Sequence, residues 1–219
     1  MTRNARKARS IARLGAAKIK TSVHLPAITP PPLRKRLGVK AVRRRCLVLS
    51  GIQSVPNGRD PREVARWLRA EDLWDATSRS ERAFLTKKRS PADLDAMSWR
   101  AEALWALWWA LGYVHELSFP PRSCDLGDVL DRPGVDVPWI GSSTRAFVRS
   151  GGALRARDDL LDEADLAYRL HWAVREAQLG RGRLPRSVDP DVVEERHRAL
   201  NWLLGRHASA DWDDVDTPT

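Results

Sequence analysis

Three basic side chains, those of His171, Arg175 and Arg196, fall at positions where the helical pattern of the chain favours apolar residues. His171 and Arg175 are four residues apart, and therefore adjacent on a helix, between apolar neighbours. Because an unpaired buried arginine costs roughly 3 to 5 kcal/mol, each such arginine needs a carboxylate or several carbonyl groups as partners. The candidate members of a buried polar network or a cleft are Arg100, Glu102, His171, Arg175, Glu195 and Arg196.

Two kinds of chemistry are open to these residues. They could form internal salt bridges and hydrogen bonds that fix the register of the helices. Alternatively, the arginines could hold an anionic phosphate or carboxylate in a cleft, with His171 as an acid or base. Both arrangements place polar residues on an apolar face, so the helical pattern does not separate them.

Other residue patterns give weaker indications of chemistry. Glu194-x-x-His197 has the spacing of helical di-iron ligands, but one copy occurs where two are needed, and we interpret it as a solvated pair. Asp211, Asp213 and Asp214 could attract a divalent cation, although an acidic patch is the simpler interpretation. The chain contains no HExxH, GxxxxGK[ST] or GxSxG motif. We therefore assign no catalytic residue, no cofactor and no metal.

A tryptophan-rich segment is the element that must position these side chains. Residues 98–117 hold four of the ten tryptophans and are apolar around the whole helical wheel, which predicts a helix buried on all sides. The uncharged run of residues 103–114 is shorter than the roughly 18 to 20 residues of a membrane span. We therefore expect a central core helix with Trp99, Trp105 and Trp109 inside it, and no membrane span.

The remaining pattern predicts an all-α fold, a single irregular bundle of six or seven helices around this tryptophan-rich helix. On the helix at 158–179, Asp158, Asp162, Asp165, Arg169 and Glu176 are predicted to form the solvated face. Residues 118–152 favour an irregular connection, and Trp212 is expected to pack back on the core. Helices are predicted to begin near Leu33, at Asp60-Pro61, at Ser78 or Ser80, at Ser90-Pro91, at Asp158 and at Asp189-Pro190.

Positive charge is concentrated at the start of the chain. Residues 1–59 contain fifteen Lys and Arg and no acid, whereas residues 60–219 contain twenty-three Lys and Arg and twenty-eight acids. We expect residues 1–32 to be a basic, proline-punctuated, disordered leader, and residues 33–219 to be the helical domain. Such a leader could bind nucleic acid weakly and without sequence preference, although no aromatic residue before Trp67 offers base stacking.

Several long motifs then point to a known family. The segments RRRCLVLSGI, SERAFL, WRAEALWALWWALG, LDEADLAYRLHWAVREAQLG, VVEERHRALNWL and WDDVDTPT resemble a bacterial family known as domain-of-unknown-function family 4272, over about residues 34–219. The resemblance implies an all-helical bacterial domain and brings no activity, catalytic residue or cofactor. YRLHW and WDDVDTPT depart from the commoner forms YRYHW and WDDV(x)TDT, and the leader lies outside the resemblance.

Composition places the protein in a reducing compartment. Cys46 and Cys124 lie far apart without metal-ligand spacing, so we expect a cytoplasmic location. The leading functional hypothesis is a non-enzymatic module, immunity-like or regulatory, that binds a protein partner. One alternative is a nucleic-acid-associated protein tethered by its basic leader. Another is a binder of a small anion, or an enzyme, that uses the arginine and histidine cleft.

Overall fold

The computed structural model describes residues 2–219 except 30–36, 120, 134, 136, 138–139 and 207–210, and it contains no strand in that part of the chain. The predicted all-α fold is confirmed. Single turns of 3-10 helix lie at Trp74–Ala76 and Trp212–Asp214. The helices are α1 (Arg3–Ala16), α2 (Val39–Ser54), α3 (Pro61–Ala70), α4 (Arg79–Thr86), α5 (Pro91–Ser98), α6 (Arg100–Leu111), α7 (Gly127–Leu130), α8 (Arg145–Arg149), α9 (Arg157–Gln178) and α10 (Pro190–Leu204).

The tryptophan-rich segment forms the centre of the core, but as two helices rather than one. Helix α5 ends at Ser98, and Trp99 is the N-cap residue of α6. Helix α6 ends where Gly112 adopts a left-handed conformation (φ 88°). Trp108 and Trp109 are buried, whereas Trp99 and Trp105 are only half-buried. The helical wheel placed Trp99 inside because it assumed one continuous helix through residue 99.

The long helices pack in a series that follows from the apolar surface of α6. Helix α6 contacts α2 on one side and α10 on another, α10 contacts α9, and α9 contacts α1. Helices α3 and α4 pack on each other, and α3 also packs on α2. Because α6 and α10 are neighbours, charged residues that face inward from these two helices can meet between them.

Residues at the helix ends match the predicted caps. The Asp60 carboxylate accepts a hydrogen bond at the start of α3, and Asp189 does the same for α10. Ser78 and Ser90 each form a capping box, with Glu81 and Asp93 respectively. The predicted helix start at Leu33 lies outside the described residues. None of the described helices has the length and apolar character needed to cross a bilayer.

The basic start of the chain is folded, which corrects the expectation of a disordered leader. Arg3–Ala16 forms α1, which packs against α9, and Leu14 and Ile19 are buried. Arg6 is only 2% exposed, and its guanidinium contacts Asp158 at 2.9 Å and Asp162 at 2.8 Å. Charge-rich composition favoured disorder, but Arg6 is paired with two acids more than 150 residues away.

The middle of the charged side of α9 is covered, which corrects the predicted solvated face at Asp165 and Arg169, whereas Asp158 is exposed as predicted. Asp165 and Arg169 are fully buried and form an ion pair at 2.8 Å. Arg169 also donates a hydrogen bond to the carbonyl oxygen of Pro26 at 2.9 Å, and the Ile28 amide donates to Asp165 at 3.4 Å. The segment that follows α1 therefore lies over a face whose sequence resembles a solvent-exposed one.

We predict that Arg6→Gln lowers the melting temperature of the protein, by roughly 5 °C, because Asp158 and Asp162 lose their buried cationic partner. Lys20→Gln is the matched control, since Lys20 is exposed and makes no ion pair within the described chain. Thermal unfolding followed by circular dichroism checks both variants. Equal melting temperatures for the two variants would contradict the docking of α1 on α9.

Candidate functional site

An ion pair between α6 and α10 is the centre of the buried polar network. Glu102 is 2% exposed, and its Oε2 accepts a hydrogen bond from Arg196 Nε at 2.9 Å and forms an ion pair with Arg196 Nη2 at 2.8 Å. Nη2 also donates to the carbonyl oxygen of Arg122 at 2.7 Å, and the Cys124 amide donates to Glu102 Oε1 at 2.6 Å. Two of the six predicted residues are thus partners, and together they hold the connection after α6 against both helices.

Arg100 of α6 and Glu195 of α10 form a second pair, and Arg100 also approaches Asp213 in the C-terminal segment. Arg100 Nη1 contacts Glu195 at 3.1 Å, and Arg100 Nη2 lies 3.9 Å from Asp213. Burial raises the pKa of Glu195 above its ordinary value. Burial also acts to raise the pKa of Asp213, but hydrogen bonds from the amide and hydroxyl of Ser80 outweigh it and leave that pKa lowered. Asp213 therefore serves as a structural acceptor in this network.

A third buried pair was missed by the sequence analysis. Arg45 of α2 and Glu81 of α4 are 3% and 0% exposed, and Arg45 Nη1 donates to Glu81 at 2.8 Å. The Arg45 guanidinium also lies 4.2 Å from the ring centroid of Trp212, which is buried as predicted. Glu81 belongs to the capping box of α4. The Ser-x-x-Glu spacing of this box was the sequence feature that could have indicated an ordered Glu81 carboxylate.

Arg175 does not join the network, which corrects its predicted place in a buried set or cleft. Its side chain is exposed, and among the described residues it donates to Gln178 Oε1 at 3.3 Å. Arg175 lies in the last turn of α9, where basic side chains interact favourably with the free carbonyl groups of the helix end. The helical wheel gives the angular position of a residue but not its distance from the end of the packed region.

His171 is buried as predicted, but its partner is a residue assigned to the solvent. His171 Nδ1 and His197 Nδ1 are 3.0 Å apart, and His197 is 2% exposed. The Asn201 amide donates to His197 Nε2 at 3.1 Å, so His197 carries its proton on Nδ1 and donates it to His171. Burial lowers the pKa of His171, which keeps its ring neutral. The predicted solvated Glu194 and His197 pair is therefore wrong for His197.

The network leaves little room for a ligand beside Arg196. The cavity that Arg196 lines with Leu166, Leu170 and Val193 measures about 30 Å³, which suits at most a water molecule. Burial raises the pKa of both the Cys46 and the Cys124 thiol far above the ordinary value, so neither is an activated nucleophile. Within the described chain, no group of three or more His, Cys, Asp or Glu could hold a metal ion.

A cationic groove lies on a different part of the surface, between α3 and the residues that follow α4. It encloses about 1000 Å³, and the acidic side chain among its lining residues is Asp60, whose carboxylate caps α3. The net charge of residues 60–219 is negative, so a sum of charge over that region does not reveal a local cluster of cations. The cationic side chains that line the groove are Arg62, Arg66, Arg69, Lys87, Lys88 and Arg89.

We predict that Arg196→Met destabilises the protein by roughly 3 to 5 kcal/mol, because Glu102 is left buried without its cationic partner. A second change, Glu102→Gln, should recover much of the loss while keeping an acceptor for the Cys124 amide. Arg175→Met is the matched control and should change stability by less than about 0.5 kcal/mol. Urea unfolding is measured for the parent, the two single variants, the double variant and the control, and additive effects of the two changes would show that Arg196 and Glu102 are not coupled.

We predict that the histidine pair makes stability fall in mild acid. The pKa of His171 is lower in the folded protein than in the unfolded chain, where it is about 6.5. The neutral ring therefore contributes its full stability above about pH 6.5, and that contribution is lost as the pH falls from 6.5 towards the lower folded value. Urea unfolding from pH 7.5 to 5 should show a steeper loss for the parent than for His171→Gln. Parallel curves would contradict the assignment.

The chain matches one family profile over most of its length. The family is described as Domain of unknown function (DUF4272), and the match covers residues 6–215. It begins inside α1, so the basic helix is part of the matched region, which extends the resemblance beyond its expected start near residue 34. Comparisons with curated proteins and with solved structures found no match. On this length of match, the chain belongs to the family of the domain of unknown function DUF4272.

Proposed function

We propose that this domain is a non-enzymatic binding module that holds the phosphate backbone of a nucleic acid in the cationic groove between α3 and the residues after α4. The observation that carries the proposal is a set of cations without carboxylate partners. Arg62, Arg66, Lys87 and Lys88 are exposed, and none of them forms an ion pair with another residue in the described part of the chain.

The groove presents its charges in a regular arrangement. Arg62, Arg66 and Arg69 are spaced by four and three residues, so they share one face of α3. Lys87, Lys88 and Arg89 follow the end of α4, which packs against α3. Closely spaced cations of this kind release the counterions condensed on a phosphate backbone, and this release drives sequence-independent binding.

An aromatic side chain extends this surface beyond the groove. The guanidinium of Arg69 lies 3.8 Å from the ring centroid of Trp74, and both residues line a second depression together with Lys40 and Arg44. Asp75 pairs with Arg44 at 2.7 Å, so the positive charge is lower there than in the groove. The groove itself therefore supplies most of the electrostatic attraction.

The composition of the surface favours nucleic acid over the protein partner of the leading sequence hypothesis. Stable protein interfaces are anchored by apolar or aromatic side chains near their centre. Among the described residues, the exposed large hydrophobic side chains are Val23 and Leu179, and neither lines the groove. Phosphate backbones, in contrast, are bound mainly by Arg and Lys without such anchors.

Ion pairs between α1 and α9 favour the groove over the leader as the proposed nucleic-acid contact. Arg6, Arg9 and Arg13 of α1 are each within 2.9 Å of an acid on α9, so their charges are already compensated. Their pairing weakens the hypothesis of a basic tether. Both cysteines are free thiols, which supports the proposed location in the reducing cytoplasm.

Fluorescence anisotropy with a labelled 20-nucleotide single strand and a 20-base-pair duplex tests this function. We predict sequence-independent binding whose log affinity falls linearly with log salt concentration. Replacing Arg66, Lys87 and Lys88 together by Gln should reduce the salt slope by roughly 2 and weaken binding at least tenfold. Replacing the exposed Arg181, Arg183 and Arg186 by Gln removes the same charge elsewhere and should have little effect.

Three outcomes would contradict the proposal. The first is equal binding by the groove variant and the parent, and the second is an equal loss in the control variant. The third is a higher affinity for a polyglutamate peptide than for either nucleic acid at the same salt concentration, which would favour an acidic protein surface as the ligand.

A further inference from the structure

A third depression, which shares no lining residue with the groove, lies between the segment after α1, the middle of α9 and the C-terminal end of α10. It encloses about 350 Å³, within the range of roughly 300 to 1000 Å³ that small-molecule sites occupy. We call it the Arg206 pocket. Its lining residues include Ile28, Tyr168, His197, Asn201, Arg206 and Pro218.

Arg206 gives this pocket a positive charge. Its Nη1 donates to the carbonyl oxygen of Thr29 at 2.8 Å, and it forms no ion pair with a carboxylate of the described chain. The described side chains that line the pocket include no Asp or Glu, and the terminal carboxylate of Thr219, which also lines it, forms no ion pair with Arg206. Burial lowers the pKa of Arg206, which shows that the guanidinium lies in surroundings poorer in water than the surface. A charge in such surroundings attracts an anion more strongly than one in bulk solvent.

The polar side chains of Tyr168 in α9 and Asn201 in α10 line the same pocket as the Arg206 guanidinium. The Tyr168 hydroxyl makes no hydrogen bond to another described residue, and burial raises the pKa of Tyr168, so the group stays a donor. The Asn201 amide nitrogen donates to His197 Nε2 at 3.1 Å and to the carbonyl oxygen of Asp216 at 3.0 Å. This use of both amide protons leaves its Oδ1 as the acceptor.

Hydrogen bonds to neighbouring residues fix the positions of His197 and Ile28 in the pocket wall. His197 is fixed by His171 on one ring nitrogen and by Asn201 on the other. Ile28 is buried, and its amide donates to Asp165, which ties one wall to α9. A site whose polar groups are already held in place loses little conformational entropy when it binds a ligand.

We propose that the Arg206 pocket binds a small organic anion, a carboxylate or a phosphate ester with a compact apolar body. Arg206 and the Tyr168 hydroxyl donate to the anionic group, and Ile28 and Pro218 contact the apolar body. The volume excludes a polymer, so this ligand differs in class from the one proposed for the groove. Because Thr29 and Ile28 belong to the segment that follows α1, a bound anion also stabilises that segment against α9.

Benzoate, phenyl phosphate and inorganic phosphate are the probes. Isothermal titration calorimetry and thermal unfolding should show saturable binding and a higher melting temperature for at least one organic anion. Arg206→Gln should weaken that binding by about tenfold or more, because a charge-assisted hydrogen bond is lost. Arg183→Gln, which removes an exposed arginine between α9 and α10, should bind as the parent does.

Tyr168→Phe provides a second variant that keeps the ring packing, and it should weaken binding severalfold without lowering the melting temperature of the free protein. The variant with Arg66, Lys87 and Lys88 replaced by Gln should retain benzoate binding, which separates this pocket from the groove. A preference for phenyl phosphate or for benzoate identifies which anionic group the pocket takes. Absence of binding by both, equal binding by Arg206→Gln, or equal affinity for uncharged benzamide would overturn the proposal.

Discussion

The guanidinium of Arg196 lies in the protein interior, and the cost of removing it from water is the constraint on which the packing of α6 and α10 depends. Glu102 and the carbonyl oxygen of Arg122 replace the lost water contacts. Arg45 with Glu81, and Arg169 with Asp165, meet the same requirement at two other helix contacts. Such pairs contribute little net free energy compared with apolar residues, but a shifted helix would leave a buried charge unpaired. We infer that they select one register among several that apolar contacts alone would allow.

The sequence predicted the elements that depend on local rules. Capping residues at Asp60, Ser78 and Ser90 mark helix starts because the cap forms within a few residues of the backbone amide that it satisfies. The burial of Glu102 and Arg196 was also predictable, since charged residues within an apolar arc must find partners in the core. Their pairing with each other was not, because 94 residues separate them and periodicity carries no information on which helices meet.

The errors at α1, on the polar face of α9 and at His197 have related physical causes. Arg169 and Asp165 lie on a face of α9 that is polar in sequence, and the wheel assigns such a face to solvent. A polar face is equally well satisfied by a second helix of opposite charge, and α1 supplies one. His197 was misplaced for a related reason, since a buried histidine pair satisfies itself and leaves no apolar signature. The basic composition of α1 predicted exposure because composition does not show where the compensating acids lie.

The long separation between α1 and its acidic partners has a consequence for how the chain is made. Arg6 and Asp158 are 152 residues apart, so at roughly 5 to 20 residues per second the ribosome completes α1 about ten seconds or more before α9 exists. During that interval Leu14 and Ile19 have no core to enter. The positive charges of the nascent helix are likewise uncompensated. Native docking of α1 therefore begins only after α9 has been made, and until then the apolar residues of α1 are accessible to chaperones.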